Sequence, residues 1–235
     1  MSVPDPTPSA PQVDRPRPVF SRCYARLSKQ MEAGGMAPLR RELLEGLTGN
    51  VVEIGCGNGM NFAHYPTTVT DVAAVEPEPY LRALALRAST TAPVQVRVLP
   101  GTADRLPLPD HSTDSAVVCL VMCSVDDRPA MLAELIRVLR PGGQLRFLEH
   151  TLAETPALRA TQRIIDATVW PRLAGGCHTA VDTTALISDA GFEITRLRRF
   201  RFPDIRITLP TVPHVLGSAT APASTPPTLG SAATP

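Results

Sequence analysis

Short apolar runs bounded by glycine and proline alternate along this chain with stretches in which apolar residues recur every three or four positions, the pattern of an α/β fold. Val51-Val52-Glu53-Ile54 is the first run, and its β-branched residues between Gly49-Asn50 and Gly55 predict a buried parallel strand. Val72 to Val75, Val94 to Leu99, Ala116 to Met122 and Gln144 to Leu148 predict four more. Phe192 to Phe202 and Ile207 to Leu216 read as two further strands. Helical spacing marks Val19 to about Glu45, with Phe20, Tyr24, Leu27 and Met31 on one stripe, a break at Gly34-Gly35 and Pro38 in the first turn of the next helix. Helices are also predicted from Met60 to His64, Glu78 to Arg87, Met131 to Leu139, Pro156 to Trp170 and Asp182 to Ala190.

Composition narrows the picture. A chain of 235 residues with 43% apolar content fills one buried α/β domain. Residues 1–18 hold six prolines among small polar residues, and residues 218–235 are Ala, Ser, Thr and Pro, so both ends are expected to be disordered around a domain at 19–217. A net charge of +1 supplies no basic field for nucleic acid. Five cysteines without C-x-x-C spacing point to a reducing cytoplasm, against a disulfide framework and against a zinc site. No apolar run approaches the length of a membrane span, and the N-terminus lacks the pattern of a signal peptide.

The chemistry concentrates after the first strand. Gly55-Cys56-Gly57-Asn58-Gly59 places glycine at every second position, which permits a tight turn and close approach of a ligand to the backbone. A dinucleotide fingerprint would carry its third glycine where Met60 stands, so NAD is disfavoured. Glu53 suits the cationic end of a ligand. Glu76 ends the second strand, where an acid accepts the two hydroxyls of a ribose.

These features resemble the class I S-adenosylmethionine-dependent methyltransferases over roughly Phe20 to Gly217. The resemblance is carried by the E-I-G-C-G-N-G loop, the A-V-E-P turn, Gly101 to Pro107 with Asp114 after it, and Arg137-Val138-Leu139-Arg140-Pro141-Gly142-Gly143. It implies a Rossmann-like seven-stranded, mostly parallel sheet with helices on both faces, a terminal antiparallel hairpin and N-terminal lid helices. It further implies S-adenosyl-L-methionine as cofactor, held by Glu53, Gly55, Cys56, Gly57, Asn58, Gly59 and Asn61, by Glu76 and Pro77, by Thr102, Ala103 and Asp104, and by Leu120 and Cys123. Arg22, Tyr24 and Ser124 are candidates for the substrate pocket, although Phe20, Tyr24 and Leu27 equally suit the buried stripe of an amphipathic helix.

Val118 to Val125, the Leu148-Glu149-His150 exit, Trp170 with Gly175-Gly176-Cys177-His178-Thr179, and Pro213-His214-Val215 are similar to the thiol S-methyltransferase branch. Its members methylate small apolar thiols and are associated with membranes through an N-terminal apolar segment, which is not seen here. The implied acceptor is a small molecule, best a thiol. His150 and His178 are the candidate bases, and each also suits a structural, hydrogen-bonded role. An O-, N- or C-methyltransferase of a hydrophobic metabolite or phospholipid head group, and a cofactor-binding protein without transferase activity, stand as alternatives.

Overall fold

A computed structural model describes residue 14, residues 16–204 and residues 209–223. The rest of the leader and tail lies outside the described residues, as do Ile207 and its neighbour in the last predicted strand. Seven strands form one sheet in the order β3-β2-β1-β4-β5-β7-β6: β1 Gly49–Ile54, β2 Val69–Val75, β3 Gln95–Leu99, β4 Thr113–Cys119, β5 Leu139–His150, β6 Glu193–Arg201 and β7 Pro213–Thr220. The first five pair in parallel, and β7 runs antiparallel between β5 and β6. This is the expected Rossmann-like architecture.

Alternate residues of each central strand enter opposite cores, because successive side chains leave a strand on opposite faces. Val52, Ile54, Ala116, Val118, Leu145 and Phe147 pack on one face with α4 (Arg128–Val138) and α7 (Thr183–Asp189). Val51, Val117, Cys119 and Leu148 pack on the other with α2 (Ala37–Leu44) and α3 (Pro79–Ser89). The helices begin where their caps dictate: the carboxylates of Glu78, Asp127 and Asp182 accept the amides of Leu81, Ala130 and Ala185 at 2.8, 2.9 and 3.1 Å.

Several boundaries differ from the sequence reading. Between α1 (Pro18–Met31) and α2 the chain makes a π-type turn, Glu32–Met36, kinked at Gly35 with φ 110°. The buried side of α1 is Ser21, Ala25 and Ser28, while Leu27 is exposed. After the glycine loop only a 3-10 turn forms, Phe62–His64, since Pro66 closes the segment too early for a helix. The stretch Pro156 to Trp170 is divided into α5 (Pro156–Asp166) and a short α6 (Trp170–Leu173). β5 begins at once after α4 and bulges through Pro141-Gly142-Gly143, so that Leu139 pairs with Thr113 but Gln144 with Ser115. β7 continues past residue 217 to Thr220, and the Ala221 amide donates to the Gly143 carbonyl at 2.8 Å.

Candidate active site

A cleft opens at the carboxyl ends of β1, β2 and β4, where the strand order reverses. Ile54, Gly55, Gly57, Val75 and Glu76 form its floor. Thr102, Ala103 and Asp104 flank one side, and Leu120, Val121 and Ser124 the other. Arg17, Phe20 and Tyr24 close it from α1 and the residue before it, with Gly175 beside them. The rings of Phe20 and Tyr24 stack with centres 5.7 Å apart.

The glycines are required by this geometry. Gly55 and Gly57 have φ of 60° and 57°, and a Cβ on Gly57 would lie 3.1 Å from the Tyr24 ring, in the space between loop and helix. Glu76 is buried, and its two oxygens accept the amides of Gly57 and Glu78 at 2.8 and 2.9 Å. Burial pushes its carboxyl pKa up, against the pull of those amides. The lining carries the acids Glu76, Glu78, Asp104, Asp126 and Asp127 with Arg17 as its counterpart, a balance that favours a cationic ligand. Arg17 donates to the Gly175 carbonyl, and its amide donates to Glu78 at 3.4 Å.

The wall after β4 is held under strain. Leu120 has φ 60°, at an order-of-magnitude cost of about 1–3 kcal/mol for a side chain in the left-handed region. Glu149 compensates, its Oε1 accepting the amides of Val121 and Met122 at 2.8 and 3.2 Å. Its carboxyl is fully enclosed, and burial raises its pKa to about 7.

Comparison with a curated relative defines the family. Residues 52–147 match the Methyltransferase domain family. The chain is 36% identical over 207 residues to the thiol S-methyltransferase TMT1B of Mus musculus, covering 83% of this chain and 81% of that one. The chain belongs to the class I S-adenosylmethionine-dependent methyltransferases. The fold agrees: a SAM-dependent methyltransferase of Thermotoga maritima superposes with TM-score 0.61 at 23% identity, covering 86% of this chain and 98% of that one. Geranyl diphosphate methyltransferase in complex with SAM superposes with TM-score 0.59 at 14% identity, covering 80% and 85%.

The cofactor of this methyltransferase is S-adenosylmethionine. Of the residues marked by the sequence, Gly55, Gly57, Glu76, Pro77, Thr102, Ala103, Asp104 and Leu120 line the cleft with Tyr24 and Ser124. Cys56, Asn58, Gly59, Asn61 and Cys123 stand behind the wall rather than on it. Glu53 also lies behind, buried, where Asn61 Nδ2 and Tyr65 OH donate to its oxygens at 2.9 and 2.7 Å. Arg40 donates to Asn61 Oδ1 at 2.7 Å and to Glu32 at 2.9 Å, extending this polar chain to the N-terminal helices. The Asn58 amide donates to Ser28 Oγ at 2.9 Å, fastening the loop to α1.

Arg22 points outward, its guanidinium 5.2 Å from the centre of the Tyr80 ring. His178 Nδ1 pairs with the Gly176 carbonyl at 2.9 Å, and neither it nor His150 lines the cleft. His150 is buried with its Nε2 3.2 Å from Cys177 Sγ. Arg17, Phe20, Glu78 and Gly175 are wall residues that were not among the candidates. Arg17 fell in the proline-rich leader, and Glu78 read as part of a helix start. The expectation of no metal site rested on spacing along the chain, yet the fold gathers Cys123, His150 and Cys177 into one cluster.

Proposed function

We propose that this methyltransferase carries the methyl group of S-adenosylmethionine to the sulfur of a small apolar thiol. The observation that carries the reading is the 36% identity to a thiol S-methyltransferase across 83% of the chain. The apolar side chains of Phe20, Leu120, Val121 and Val125 around the cleft support an apolar acceptor.

The cleft fits the cofactor in chemistry and in shape. Its glycines leave a space that a Cβ would fill, and its acids suit a ligand with a sulfonium and an ammonium. In this reading Glu76 accepts the ribose hydroxyls, the Gly55–Gly57 backbone cradles the amino-acid end, and Thr102, Ala103 and Asp104 frame the adenine. Tyr24 and Phe20 cover the site and exclude water. When bound, the cofactor supplies an electrophilic methyl on a positive sulfur. The chain therefore has mainly to align and to desolvate, since charge disperses as the methyl moves. A thiol with an ordinary pKa near 8.5 already presents some thiolate at neutral pH. The positions of His150 and His178 off the cleft favour positioning roles for both over direct proton abstraction.

Incubation with methyl-labelled S-adenosylmethionine and a mixed panel of aliphatic thiols, aryl thiols, phenols and amines tests the acceptor. Mass gain on thiols alone is expected. Label on a phenol or amine, with thiols untouched, would overturn the thiol assignment and leave the methyltransferase intact.

A further inference from the structure

Cys123, His150 and Cys177 come from three separate places: the turn after β4, the last residue of β5, and the loop between α6 and α7. One donor atom from each, two Sγ and an imidazole nitrogen, all lie within 4.8 Å of one another. Cys177 Sγ is 3.2 Å from His150 Nε2, while His150 Nδ1 is buried with no hydrogen-bond partner in the protein. We propose that these three side chains bind one thiophilic divalent metal ion of the zinc class and leave a fourth position to a thiol from the neighbouring cleft.

The donor set, the distances and the charge all suit such an ion. Two cysteines and a histidine are the soft and borderline ligands zinc takes in sites that keep one position open. A tetrahedral ion with Zn–S about 2.3 Å and Zn–N about 2.0 Å separates its donors by about 3.5–3.8 Å, so small side-chain adjustments suffice. Two thiolates neutralise a divalent ion, which allows it to sit where an unpaired charge is costly.

The scaffold fixes each donor. The His178 amide donates to the Cys123 carbonyl at 2.8 Å, joining the two cysteine-bearing segments. Asp166 on α5 accepts the amides of Thr179 and Ala180 at 2.6 and 2.9 Å, just beyond Cys177. His150 is held by its register with His214 on β7. The cluster adjoins the cleft wall, since Ser124 lines the cleft with its Oγ 3.4 Å from Cys123 Sγ, and Gly175 lines it two residues before Cys177.

The role of the fourth position rests on the thiol reading above. A thiol binding there releases its proton to solvent and stays as thiolate on the metal. A sulfur lone pair then forms the new S–CH3 bond while the methyl–sulfonium bond breaks, its electron pair remaining on the departing thioether.

Cobalt(II) titrated into the full-length, metal-stripped protein, kept reduced with a phosphine, tests the site without turnover. One equivalent should raise sulfur-to-cobalt charge-transfer absorption and tetrahedral d–d bands, zinc should displace it, and an added thiol should shift the bands. Cys123→Ser and Cys177→Ser should each weaken binding by more than about 100-fold, beyond the 10–100-fold typical of outer-shell changes, and exposed Cys23→Ser should not. No charge-transfer band in the parent protein, or one that persists in the double serine variant, overturns the site. X-ray absorption of the zinc-loaded parent protein decides even where a serine variant does not fold: a first shell with two sulfurs supports the site, and one of oxygen and nitrogen alone refutes it. Full-rate thiol methylation by metal-free protein removes the role of the ion, whereas an intact cobalt spectrum without thiol methylation counts against the acceptor assignment instead.

Discussion

Glu53 stands two residues before a cleft-lining glycine but turns its carboxylate into the protein, onto Asn61 and Tyr65. The motif marks the acid, whereas the direction of its side chain is set by which face of β1 meets the N-terminal helices, and a strand covered on both faces does not reveal that in its sequence. Burial, against the two hydrogen bonds, pushes its pKa from 4.5 to about 7. An acid raised on folding contributes its full stability below its unfolded pKa, and the contribution is lost as pH climbs through the folded value. Glu53→Gln should therefore gain stability relative to the parent between pH 5 and pH 8, read as the shift in urea midpoint at each pH. An equal gap at both values would contradict a buried, raised carboxyl. Glu149 is raised in both proteins and cancels from the difference.

At the scale of elements, one side chain ties several together. Arg40 on α2 reaches Glu32 in the π-type turn, Asn61 after the glycine loop and Cys119 at the end of β4. Removing it leaves the buried Asn61 Oδ1 without its donor and takes a nearby cation from Glu53, while Glu32 keeps His64 at 2.7 Å, so Arg40→Ala should destabilise by roughly 1–3 kcal/mol. Chemical denaturation measures this, and a loss below about 1 kcal/mol would mean that the network does not hold the helices. The central strands β1, β2 and β4 were legible because each carries an apolar run closed by turn residues, and the last helix was legible from Asp182, whose carboxylate caps it. The break at Leu120 was not, because a left-handed turn imposed by Glu149 leaves no mark in an apolar run. Pro141-Gly142-Gly143 stand between the helix predicted to Leu139 and the strand predicted from Gln144, while the fold keeps them in β5 as a bulge.

Over the whole molecule, the cleft is closed by partners far apart in the chain. Arg17 meets Gly175, and the Gly175–Ala180 segment hangs from α5. Gln162, fully buried on α5, accepts the Ala153 amide at 2.8 Å and donates to the carbonyls of Thr151, Thr179 and Pro210. Gln162→Ala leaves those groups unpaired and should cost about 1–3 kcal/mol. It should also speed hydrogen exchange at Cys177, His178 and Thr179, and unchanged exchange there would show that α5 does not hold the loop. Such long-range closures explain why Arg17 and the cysteine–histidine cluster escaped a reading by spacing, although Gly55 and Gly57 were found from one local motif and Glu76 from the end of the second strand. Among the described residues no helix is long and apolar enough to cross a membrane.

The central claim, that S-adenosylmethionine binds in the cleft with Glu76 at its ribose, is tested most directly by calorimetric titration of the cofactor into the parent and Glu76→Ala proteins, with folding verified by circular dichroism. Loss of charge-assisted hydrogen bonds should weaken binding by about 1.5–3 kcal/mol. Equal affinity in the two proteins would contradict the placement of the cofactor.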